Sequence, residues 1–117
     1  MHRIVVCAFW LMEFAATHAP ISKEVEALPG SDKHLHLGAY CVLSALLMFW
    51  NGFRAAGEWR RVATVVLILA IYAAVDELLQ PLFSRDAELL DWAADLAGAM
   101  LGAVVAFGTS RLFRARA

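Results

Sequence analysis

Three stretches of this chain are apolar for long enough to cross a lipid bilayer, and that restricts the fold more than any other feature. They cover roughly residues 35–53 (LHLGAYCVLSALLMFWNGF), 62–79 (VATVVLILAIYAAVDELL) and 89–107 (LLDWAADLAGAMLGAVVAF). A spanning helix needs about 20 mainly apolar residues, with about 17 tolerated. A fourth run, residues 4–16 (IVVCAFWLMEFAA), reaches that length when it is extended from Arg3 to the turn at His18, and Glu13 interrupts it. In hydrocarbon every backbone polar group must be bonded within the protein, so only helices or a closed barrel can span. None of the runs alternates as a barrel strand does. The expected fold is all-α: an integral membrane four-helix bundle, one domain over residues 1–117, with helices at roughly 3–19, 33–53, 61–80 and 89–113.

Composition agrees. Charged residues make up 18% of the chain and the mean hydropathy is +0.64, where soluble proteins average about 25% charged. Ten basic groups against 11 acidic ones leave no surplus for nucleic-acid binding. Cys7 and Cys41 lie in apolar runs and read as small core residues, not a disulfide framework. The first run has the basic start and apolar centre of a cleaved signal peptide. With no small-x-small site after Ala16 and Pro20 close behind, a retained helix is the better reading.

Lys and Arg accumulate on the cytoplasmic side of membrane proteins. Arg3 precedes the first run; Arg54, Arg60 and Arg61 lie between the second and third; Arg111, Arg114 and Arg116 follow the fourth. The other two loops hold only Lys23, Lys33 and Arg85. This pattern places both termini and the middle loop in the cytoplasm and the acidic loops outside. Trp10, Trp50, Trp59 and Trp92 fall near expected helix ends or interfaces, where membrane proteins concentrate tryptophan.

Against this background the stretch VDELLQPLFSRDAELLDWAADLAG, residues 75–98, is anomalous because it holds six carboxylates. Asp86 and Glu88 can reach the headgroups, and Asp91 can sit at a helix N-terminus where negative charge is favoured. Asp76 and Asp95 lie deeper, at a depth where charge is costly and commonly functional. Spacings of four align Asp32, His36, Tyr40 and Ser44 on the second helix. Tyr72, Asp76 and Gln80 align on the third, and Asp91, Asp95, Gly98 and Gly102 on the fourth. All fall within about two turns of the outer surface, as one site would. Glu13, alone in the first helix, either faces the bundle or meets a partner, and His18 reads as a solvated loop residue. Gly98 and Gly102 form a GxxxG, which seats helix on helix within one chain or joins two chains as a homo-oligomer.

DKHLHLGAY resembles the D-K-x-x-H-x-x-x-Y motif of the VanZ-like family of small bacterial integral membrane proteins. VDELLQPLFSRDAELLDWAADLAGAMLG resembles that family's second block, D-E-x-x-Q, an arginine, then D-x-x-x-N-x-x-G-x-x-x-G. The likeness covers the last three helices. It implies binding positions at Asp32, Lys33, His36, Tyr40, Asp76, Glu77, Gln80, Arg85 and Asp91, with Gly98 and Gly102 as packing positions. Asp95 departs from the pattern, standing where the family has asparagine, and adds an acid to the same stripe. The family is named for an accessory protein of teicoplanin resistance. The resemblance therefore implies a multi-pass protein of the bacterial cytoplasmic membrane, acting in the cell envelope, with antibiotic resistance as its association.

Three mechanisms suit such residues. In the first, an outward-facing pocket binds a lipid headgroup, a lipid-linked envelope precursor or a partner protein, with Lys33 and Arg85 meeting phosphate or carboxylate. In the second, an intramembrane enzyme acts on a lipid-linked substrate, with Asp76 or Glu77 as general base and His36 as its partner. A proton-coupled transporter ranks third, since polar residues thin out towards the cytoplasm. Asp32, Asp76, Asp91 and His36 could hold a hard divalent cation, but no metal-binding spacing occurs and neither metal nor cofactor is expected.

The arginine pattern generates a prediction. Topology reporters fused near Glu26 or Asp86 should report the outside, and those after Gly57 or at the C-terminus the cytoplasm. An external signal after Gly57 would reverse the orientation.

Overall fold

The computed structural model describes residues 2–19, 31–50 and 58–115, and within them the chain is all-helical. Helix α1 spans His2–His18, α2 Ser31–Met48, α3 Glu58–Leu79 and α4 Leu89–Ala115, with one turn of 3-10 helix, Gln80–Phe83, after α3. Acidic residues stand in the first turns of α2, α3 and α4 (Asp32, Glu58 and Asp91), where the helix dipole favours them. Pro81 has no N–H to donate and cannot continue an α-helix, so the chain tightens to 3-10 geometry. Ser84 then takes a left-handed conformation, φ 60°, and turns the chain back. The N–H of Arg85 bonds the Gln80 carbonyl at 3.2 Å, which holds Arg85 over the bundle end.

The expected helices recur within a few residues, with one difference. Helix α2 stops at Met48, and Phe49 and Trp50 close it by bonding to the Ala45 and Leu47 carbonyls. Its expected extension to residue 53 runs into residues outside those described. Its 18 residues make about 27 Å of helix, short of a hydrocarbon core of about 30 Å. Among the described residues, two helices are long and apolar enough to cross a membrane: α3 with its 3-10 extension, Glu58–Phe83, and α4.

Helix α2 packs most closely on α4. Gly98 faces the backbone of Leu37 and Cys41, and Gly102 faces the carbonyl of Cys41. A methyl group on either glycine would overlap a backbone carbonyl oxygen. The GxxxG thus joins helices within the chain, and that face has no room for a second copy. Ser44 Oγ ties the contact by donating to the Ala99 carbonyl at 2.6 Å. Helix α3 lies on the other side of α4, where Trp92 Nε1 donates to the Ala70 carbonyl at 3.3 Å. The apolar core comprises Tyr40, Leu43 and Leu47 of α2, Val65 and Leu69 of α3, and Ala99, Ala103 and Phe107 of α4, with Val6 reaching in from α1.

Polarity is turned inside out. Asp76, Gln80 and Asp95 are 0% exposed, whereas Leu67, Leu78 and Leu89 are 61%, 76% and 78% exposed. Soluble proteins rarely bury aspartate while showing so much leucine. Only 28% of the apolar window in α3 and 39% of that in α4 is buried among the described residues, so most of both apolar windows faces outward. Cys7 corrects the sequence expectation of a core residue: it is exposed, and Cys41 is half-buried.

Substitution at the glycines tests the close contact. Gly98→Ala and Gly102→Ala should each destabilise the protein in detergent by about 1–3 kcal/mol, the usual cost of overpacking. Gly108, whose added methyl would meet nothing within 4 Å, should tolerate alanine or gain up to about 1 kcal/mol from helix propensity. Equal melting of all three variants would contradict the packing described.

Candidate functional site

The α2–α4 contact sets the site's geometry. One turn towards the helix ends from Gly98, it brings His36 of α2 against Asp95 of α4, with Nδ1 2.8 Å from Oδ1. Both side chains are buried. The other ring nitrogen of His36 lies 3.8 Å from Asp32 Oδ1, one turn earlier on α2. Arg85, carried over the bundle by the Ser84 turn, holds the second oxygen of Asp32 at 3.2 Å and donates to the Ala19 carbonyl at 3.5 Å. Lys33 pairs with Glu88 at 2.9 Å and with Asp91 at 3.1 Å, joining α2 to the start of α4.

Asp76 and Glu77 are consecutive on α3 and therefore point about 100° apart. Glu77 turns towards α4, accepting from Gln80 Nε2 at 2.8 Å and from the backbone N–H of Glu88 at 2.9 Å. Asp76 turns towards α1, where His18 Nδ1 lies 3.5 Å from its Oδ1. Its two oxygens accept no hydrogen bond among the described residues.

Helix α1 completes the enclosure and corrects the reading of His18 as a solvated residue. His18 is 6% exposed. It stacks on Phe14 at 4.1 Å between ring centroids and meets Phe83 edge-on at 4.6 Å. Its Nδ1 lies 2.8 Å from the Phe14 carbonyl, in position to donate. Glu13 faces the bundle and accepts from the Tyr72 hydroxyl at 2.9 Å. Tyr72 in turn packs against Trp10 and Tyr40. Thr17, one turn beyond Glu13, is buried beside them.

The residues expected from sequence are thus largely brought together. His36, Asp95, Asp32, Arg85, Lys33, Asp91, Glu77 and Gln80 form one connected group, and Asp76 borders it on the α1 side. Tyr40 shares the stripe, but its buried hydroxyl has no hydrogen-bond partner among the described residues. Glu88 does more than reach for headgroups, since it anchors both Lys33 and Glu77, whereas Asp86 is exposed as expected. Sequence reasoning missed Thr17 and His18. A usable signal existed for Thr17, which lies four residues after Glu13 on the same helix face, but not for His18, which lies five after it and about 140° round the helix.

A pocket of about 190 Å³ opens between α1 and α2, lined by Glu13, Thr17, Asp32, His36 and Arg85 with apolar walls that include Leu35. Of the residues that the sequence groups into one site, Asp32, His36 and Arg85 line this pocket, and Glu13 and Thr17 of α1 complete it. Two groups could gather around a cation, Asp32–His36–Asp91 and His36–Glu77–Asp95, the ligand atoms of each lying within 4.8 Å of one another. Asp76 joins neither. Chemically the site offers an imidazole–carboxylate pair, a guanidinium oriented by a carboxylate, and an excess of acceptors over donors. No family model, curated protein or solved structure matches the chain.

Proposed function

We propose that this chain is a multi-pass protein of the bacterial cytoplasmic membrane, with both termini in the cytoplasm. Its outward-facing pocket binds the phosphate-bearing headgroup of a membrane lipid or lipid-linked envelope precursor. Membrane residence is supported by the apolar surfaces of α3 and α4, which would be costly in water, and the orientation by the arginine pattern. The carrying observation is the pocket itself. At about 190 Å³ it is smaller than the roughly 300–1,000 Å³ of sites that engulf whole ligands, and suits a headgroup whose chain stays in the lipid. Leu35, Ala16 and Ala39 supply an apolar wall, and Arg85 a cation aimed by Asp32. Guanidinium is the side chain best matched to phosphate oxygens. The resemblance to VanZ-like proteins supports an envelope substrate and extends the proposal to teicoplanin-type resistance, through capture of a precursor.

A second reading, an intramembrane enzyme acting on the same lipid-linked substrates, is favoured by one observation. His36 and Asp95, 2.8 Å apart, resemble the base-and-orienter pairs of acid–base catalysts, and His36 also lines the pocket.

Lipid carried through purification tests the binding proposal. Mass spectrometry of the purified chain should find a phosphate-bearing lipid enriched over the bulk extract. Arg85→Gln should lower its occupancy about tenfold or more, as loss of a charge-assisted bond of about 1.5–3 kcal/mol requires. Asp86→Asn should leave it unchanged. A lipid profile identical to the bulk extract contradicts the proposal, and turnover of an added lipid-linked substrate would favour the enzyme.

A further inference from the structure

Three buried side chains from three helices converge behind the pocket: His36 of α2, Glu77 of α3 and Asp95 of α4, at 3%, 6% and 0% exposure. One ligand atom of each lies within 4.8 Å of the other two. His36 Nδ1 and Asp95 Oδ1 are 2.8 Å apart, and a shift of well under 1 Å would open the pair to the roughly 3.3–3.6 Å between ligand atoms around a tetrahedral ion with bonds of about 2.0–2.2 Å. Glu77 is held in place by the Gln80 amide and the Glu88 N–H, the kind of outer support that orients metal-binding carboxylates.

Convergence alone can be a hydrogen-bonded cluster. A separate observation points to a cation. Asp95 Oδ2 and Gln80 Oε1, on fully buried side chains, have no hydrogen-bond partner among the described residues, and neither has either oxygen of Asp76. These are all acceptors. The nearby permanent cations are already engaged, Lys33 by Glu88 and Asp91, and Arg85 by Asp32. Among the described residues, His18 pairs with Asp76 and His36 with Asp95, and no lysine or arginine pairs with Asp76, Glu77 or Asp95. Buried carboxylates without a counter-charge are strongly penalised.

We propose that His36, Glu77 and Asp95 bind one divalent transition-metal ion. The imidazole selects against Mg²⁺ and Ca²⁺, which take oxygen ligands, and favours an ion of the Zn²⁺ kind. Three protein ligands leave a fourth position for water or a ligand oxygen, and His36 also lines the pocket from which that oxygen arrives. The set differs from the one expected from sequence, because Asp76 faces α1 and Asp91 is paired with Lys33. The site does not depend on what occupies the pocket.

The test uses the full chain in detergent, with its affinity tag removed and metal stripped by chelator. Calorimetric titration with Zn²⁺ should saturate at one ion per chain, and Mg²⁺ or Ca²⁺ should bind far more weakly. His36→Gln and Asp95→Asn should each weaken Zn²⁺ binding by about 100-fold or more, since even outer-shell losses cost about 10–100-fold. Asp86→Asn should bind as the parent does. Should the site variants fail to fold, the parent chain decides: Co²⁺ bound in place of Zn²⁺ should give the intense visible absorption of a low-coordinate site. Absence of saturable one-to-one binding by the parent, unaltered binding by both variants, or only the weak bands of hydrated Co²⁺ would each overturn the proposal.

Discussion

The structure depends on one close approach of backbones, where Gly98 and Gly102 let α4 lie directly on the carbonyls of α2. In the membrane setting proposed for the chain there is little hydrophobic gain from pressing helix on helix, and contact of small residues and hydrogen bonds across the seam would hold them. The bond from Ser44 to the Ala99 carbonyl is such a link. The consequence lies one turn away. A side chain at either glycine would separate the helices and lengthen the 2.8 Å distance between His36 and Asp95, and the centre of the polar group would lose its geometry. Packing and site are one arrangement.

Charge inside the bundle is the second constraint. Removing one partner of a buried pair costs about 3–5 kcal/mol, because the other charge stays behind. The cations are distributed accordingly. Lys33 spans Glu88 and Asp91, while Arg85 reaches Asp32 only because Pro81 ends α3 and Ser84 reverses the chain. Both cations sit where α2, α4 and the turn after α3 meet, and the acids without such partners lie deeper. Among the described residues this leaves paired charges at the rim and unpaired acceptors within, the arrangement from which the metal site is proposed. The tyrosine pair Tyr40 and Tyr72 closes it on the side towards the apolar core.

Much of this is legible in the chain. Helix number follows from apolar run length, and the faces of α2, α3 and α4 follow from polar residues repeating every four positions, a local property. What sequence could not supply is the rotation of one helix against another. The sequence sets Asp76 and Glu77 about 100° apart on α3 but does not say what each faces: His18 of α1 lies beside Asp76, and the start of α4 beside Glu77. His18 looks like a residue entering a loop, and only the aromatic clasp of Phe14 and Phe83 encloses it. Cys7 sits in an apolar run like a core residue but lies on the outward face of α1. The end of α2 falls at Met48, before the Asn51-Gly52 pair that marks a stop in the sequence, because Phe49 and Trp50 already turn back onto the Ala45 and Leu47 carbonyls.

The central claim is that the apolar outer faces of α3 and α4 lie in lipid while the polar group is enclosed. Spin labels placed singly at Leu67, Ile71 and Leu101, in a chain whose Cys7 and Cys41 are replaced by alanine, test it most directly after reconstitution into phospholipid vesicles. Leu67 and Ile71 lie on the outer face of α3, and Leu101 lies on that of α4. The account predicts frequent collision of all three labels with dissolved oxygen, which concentrates in hydrocarbon, and little with a water-soluble nickel complex. A label at Asp86 should show the reverse. Strong nickel collision at Leu67, Ile71 and Leu101 would place those faces in water and contradict the account.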